Sequence, residues 1–70
     1  MILKLIGNRI REIRNSQGIS QEKLALKAGI DRTYLAGVEL GRRNVSIKSL
    51  EKILNALEIS FEEFFREINC

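Results

Sequence analysis

Apolar residues recur along this chain at spacings of three and four, and the pattern restarts four times after its first run. Ile6, Ile10 and Ile13, with Ile2 or Leu3, make a stripe that predicts a first helix over Leu3 to Ser16. Gly18, just past its last turn, suits a left-handed C-terminal cap. Ser20 is an N-cap residue for a second helix, with Leu24, Ala25 and Ala28 on its buried side. Gly29 allows a positive φ in the tight turn Ala28-Gly29-Ile30. Asp31 caps a third helix that turns Leu35 and Val38 inward and Arg32, Thr33 and Ala36 outward. Glu39, followed by Gly41, ends it. Ser46 opens a fourth helix with Ile47, Leu50, Ile53, Leu54 and Leu57 on one broad apolar face. Ser60-Phe61-Glu62-Glu63 fits a capping box, with the serine serving Glu63 and Glu63 reaching back. It opens a last helix carrying Phe61, Phe64, Phe65 and Ile68. No stretch alternates with a period of two, and prolines, repeats and linkers are missing. The expected fold is all-α, a single five-helix domain over residues 1–70, with a helix-turn-helix at helices two and three.

Seventy residues bury only roughly 60% of the surface that the unfolded chain exposes. The expected stability is correspondingly modest, about 3–10 kcal/mol. Cys70 is the only cysteine and histidine is absent, which excludes an internal disulfide and a zinc site of Cys and His ligands. The Cys70 thiol, at the last position, reads as free, or as a bridge between chains under oxidising conditions. Self-association by packing is the remaining stabiliser. The apolar start Met1-Ile2-Leu3 is broken by Lys4, Asn8, Arg9 and Arg11 before a signal segment forms, and no run reaches the ~20 residues of a membrane span. The expected setting is the cytoplasm, with no membrane partner. No cofactor is expected.

Charge matters more by position than in total. Residues 1–57 hold eleven Lys/Arg against five Asp/Glu, whereas Arg66 faces four glutamates in residues 58–70. A basic body with an acidic end presents one surface to a polyanion and turns another away. Within the basic part, residues 20–39 carry hydrogen-bonding side chains along the leading edge of the third helix, as reading base edges in a major groove requires. Arg32 can donate two parallel bonds to guanine, and Thr33 can bond a base or touch a thymine methyl. Tyr34 can lay its ring on the sugar-phosphate chain and donate its hydroxyl to a phosphate. Gly37 leaves room for close approach. Gln21, at the start of the second helix, lies beside free N–H groups that favour an anion. Arg42, Arg43 and Asn44 form a basic loop placed to grip phosphates, with Lys48 and Ser49 nearby. Arg9, Arg11 and Arg14 read as solvated surface charge, Arg9 or Arg14 within reach of a phosphate at the site's edge.

The segment SQEKLALKAGIDRTYLAGVELGRRN resembles the helix-turn-helix of the phage repressor and Cro-like (XRE) DNA-binding proteins, through Gln21, Ala25, Gly29, Ile30, Leu35, Val38 and Glu39 at these spacings. DRTYLAGVELGRRNVSIKSLEKI is further similar to the small controller proteins of restriction–modification systems. That resemblance implies a stand-alone homodimer on a double-stranded, palindromic DNA operator, switching its own operon. It implies Arg32 and Thr33 at the bases and Gln21, Tyr34, Arg43, Asn44 and Ser49 at phosphates. It implies weak readout at Gly37, where relatives use a longer side chain. Without a second domain, the dimer contact falls to Leu57, Ile59, Phe61, Phe64 and Phe65. Activation would need contact with RNA polymerase, for which Glu39 and nearby acidic residues are the candidates. Orphan XRE repressors carry the same string. Two further alternatives are an antitoxin, though little chain follows Ile68 to wrap a toxin, and a protein-interaction module with an acidic partner. An enzyme is the poorest fit, since histidine is absent and no carboxylate pair sits in a pocket-forming context.

Overall fold

The computed structural model describes residues 1–68. It contains five helices: α1 (Ile2–Ser16), α2 (Gln21–Ala28), α3 (Arg32–Glu39), α4 (Ile47–Leu57) and α5 (Phe61–Arg66). No strand occurs among the described residues. Cys70, whose thiol the sequence left free or bridging, lies outside them.

The starts of α2, α3, α4 and α5 follow serine and aspartate side chains, whereas α1 begins at Met1 without a side-chain cap. Ser20 Oγ accepts from the Lys23 N–H at 3.0 Å, Asp31 Oδ2 from Tyr34 at 3.2 Å, Ser46 Oγ from Ser49 at 3.0 Å and Ser60 Oγ from Glu63 at 3.0 Å. Each satisfies one of the free donors of a first helical turn. At α5 only the serine half of the expected capping box closes. Gly29 takes φ +70°, and the Ile30 N–H returns to the Ala25 carbonyl at 3.0 Å, so α2 ends in the left-handed turn that sends the chain into α3. The sequence gives no sign of the α4 end: Glu58 adopts φ +59° there, a conformation that a side chain rarely takes.

α1 lies across α3, α2 packs on both α3 and α4, and α5 closes on α4. Ile10, Leu24, Leu35, Val38, Leu50, Ile53, Leu54, Leu57 and Phe64 fill the centre. The α4 stripe is shorter than expected. Ile47 is 72% exposed and lies off the covered face of α4, although Leu50 in the same turn is buried. Two other expectations change sign. Arg14 is not solvated and Glu39 is not a surface acid: the Glu39 residue is 3% exposed, and its carboxylate accepts Arg14 Nε at 2.8 Å and Arg14 Nη2 at 3.0 Å. Arg14 Nη1 also donates to the Ile19 carbonyl at 2.9 Å. Periodicity held this signal, since 14 stands four residues after Ile10 and 39 four after Leu35.

Candidate nucleic-acid interface

α3 is pinned from behind and open in front. Leu35 and Val38 are buried, which fixes the helix rotation and turns its first residues outward. Arg32 and Thr33 are exposed, and neither side chain has a hydrogen-bond partner among the described residues. Their donors and acceptors are free for a ligand.

Tyr34 stands between this open edge and the following loop. Its hydroxyl donates to the Asn44 carbonyl at 3.1 Å, and the Arg43 guanidinium lies 5.3 Å from its ring centroid. That hydroxyl proton is therefore engaged within the protein, where the sequence reading offered it to a phosphate. The same contacts bring Arg43 and Asn44 to α3. The loop backbone is held as well: the Arg42 and Arg43 N–H groups donate to the Gly37 carbonyl at 2.9 and 3.3 Å. Arg42, Arg43 and the Asn44 side chain are exposed. Ser49 is half-buried in the first turn of α4, beyond this loop.

Gln21 begins α2, half-buried, and its amide Nε2 donates to Glu39 Oε1 at 3.0 Å. One N–H of the amide remains for a phosphate. Glu39 thus joins the start of α2 to the end of α3, with Arg14 of α1 as third member. This network was missed because charge alone argued for the surface. Burial also removes Glu39 as a contact for RNA polymerase.

The expected dimer residues separate into two groups. Leu57 is 1% exposed and Phe64 0%, so both belong to the protomer's own core and have no area left for a partner. This corrects their assignment to a dimer surface: α5 folds back on α4 and consumes them. Ile59 and Phe61 are half-buried and Phe65 is 41% exposed. Phe61 and Phe65 stack with centroids 6.4 Å apart, and Phe65 meets Phe64 edge-on at 5.1 Å.

Among the described residues, no group of three His, Cys, Asp or Glu is placed to hold a metal ion, and no helix is long and apolar enough to cross a membrane. The site offers hydrogen-bond donors, a basic loop and a rigid helix.

The helix-turn-helix family model matches residues 10–64. The control protein C.MunI of Mycoplasma sp is 41% identical over 63 residues, a match covering 89% of this chain and 85% of that one. The control protein C.BamHI of Bacillus amyloliquefaciens is 46% identical over 56 residues, covering 79% and 69%. The crystal structure of the restriction–modification controller protein C.AhdI from Aeromonas hydrophila superimposes with a TM-score of 0.87 at 48% identity, over 90% of this chain and 96% of that one. The controller protein C.Esp1396I, as a tetramer in complex with its natural 35 base-pair operator, superimposes with a TM-score of 0.89 at 44% identity, over 94% and 87%. This chain belongs to the helix-turn-helix family, among the relatives of the restriction–modification controller proteins.

Proposed function

We propose that this protein is a sequence-specific DNA-binding transcriptional regulator, the controller of a restriction–modification system, acting as a homodimer on a palindromic operator. The observation that carries the reading is the free, outward first turn of α3, with Arg32 and Thr33 unpaired on a helix locked by Leu35 and Val38. Two copies of α3 would enter successive major grooves, about 34–36 Å apart. Arg32 and Thr33 read bases. Gln21, Arg43, Asn44 and Ser49 hold phosphates and set the register, and Tyr34 supports the phosphate-binding loop. The regulator works in the cytoplasm, beside its operator. The operator complex of C.Esp1396I supports this reading.

Selection of bound duplexes from a random pool tests it, and an imperfect palindrome is the expected product. On that duplex, Arg32→Ala is expected to cost about 1–3 kcal/mol per half-site and to relax the preference at one base pair. Arg43→Ala is expected to weaken binding to every sequence alike and to lower the salt slope by about one per protomer. Equal losses on operator and random DNA for Arg32→Ala would remove it from base reading.

The dimer contact rests on Phe65, flanked by Phe61 and Ile59. Exposed aromatic area of this kind is what an isologous interface uses. Phe65→Asp is expected to give a monomer in sedimentation at tens of micromolar that keeps the parent's helical circular dichroism and melts lower, because the dimer's contribution is lost. A dimer that survives this substitution would place the contact elsewhere.

A further inference from the structure

We propose that Gly37 is a positioning residue for DNA binding, because its bare Cα is the seat on which the stem of Arg43 lies. Gly37 is not among the glycines with positive φ, so its backbone does not require glycine. Glycine in a helix interior is a poor choice on propensity alone. The reason lies on its outer face. A Cβ added at Gly37 would run into Arg43 Cγ, and would stand 3.4 Å from Arg43 Cβ and 3.6 Å from Cδ. From this seat the Arg43 side chain runs back along α3, and its guanidinium ends over the Tyr34 ring, three residues earlier on the same helix. The gap that the sequence offered to DNA is filled by the protein's own arginine. Arg43 therefore joins the face that carries Thr33 and Tyr34, and it is ordered before DNA arrives. An ordered side chain loses less freedom on engaging a phosphate.

This inference rests on Arg43 holding a phosphate. The test compares Gly37→Ala, Arg43→Ala and the double variant, on the selected operator duplex and on a random duplex. Gly37→Ala is expected to melt no lower than the parent, since the exposed Arg43 side chain can turn about its Cα–Cβ bond to carry Cγ away and alanine is the better helix former. Its affinity is expected to fall on the order of tenfold on both duplexes. In the Arg43→Ala background the same substitution is expected to change affinity less than twofold. In the free protein, Gly37→Ala is expected to abolish any upfield NMR shift of the Arg43 ε proton, which lies beside the guanidinium carbon over the Tyr34 ring.

A loss of full size in the Arg43→Ala background would mean that the methyl group meets DNA itself, and would overturn the seat. So would unchanged affinity for Gly37→Ala, or a clear fall in its melting temperature. If Arg43→Ala alone left binding intact, the phosphate role of Arg43 would fall and the proposal with it. A persisting ring shift in Gly37→Ala would refute the seat without touching that role.

Discussion

Glu39→Ala is expected to remove a large share of the domain's stability. Removing the carboxylate strands the Arg14 guanidinium, whose side chain is 11% exposed. It also leaves the Gln21 amide without its partner at 3.0 Å. Breaking one side of a buried ion pair costs about 3–5 kcal/mol. A domain of this size holds only about 3–10 kcal/mol in all. Urea titration followed by circular dichroism measures the loss directly. Replacing both partners, Arg14→Met with Glu39→Leu, is expected to recover part of it, because no charge is left unpaired, while the Ile19 carbonyl and the Gln21 amide still lose their partners. A single variant with the parent's midpoint would show that water reaches Arg14 and that the network is not a structural joint.

Gly7→Ala is expected to lower the melting temperature by roughly 8–16 °C, from a net cost of about 2 kcal/mol. α1 crosses α3 at this point. A Cβ on Gly7 would collide with the Val38 carbonyl oxygen and come within 2.7 Å of that of Glu39. Both belong to the backbone of the last turn of α3 and cannot swing aside. The helices must separate, and the separation pulls on the Arg14–Glu39 pair, with Arg14 about two turns further along α1. The same substitution at Gly37 meets only the stem of an arginine. One residue change therefore has opposite expected signs at two helical glycines, and thermal melts of the two variants test the contrast. A Gly7→Ala protein as stable as the parent would mean that α1 and α3 have slack where they cross.

The helices and their caps were legible because their causes are local. Ser20, Asp31, Ser46 and Ser60 each serve an N–H three residues ahead, a relation the chain carries within one turn. The left-handed turn at Gly29 is equally local. The open edge of α3 was also legible, since Leu35 and Val38 set its rotation and leave Arg32 and Thr33 on the other side. Three features escaped. Charge at Arg14 and Glu39 argued for solvent, although their spacing from Ile10 and Leu35 argued for the core. Phe64 and Phe65 are adjacent and equally apolar, yet one is 0% and the other 41% exposed. Gly37 looked like a space, and nothing near it in sequence showed that Arg43 occupies that space.

The sequence by itself determined five amphipathic helices, where the four capped ones begin, and which side of α3 presents Arg32 and Thr33. Spacing and capping act over three or four residues, so they need no knowledge of the rest of the chain. The tertiary structure decided which charges meet in the interior, which phenylalanine stays exposed, and that Arg43 rests on α3. Each of these depends on residues far apart in sequence arriving at one point: Arg14 and Glu39 are separated by twenty-five positions. Only the packing of α1, α2 and α3 against each other sets that distance.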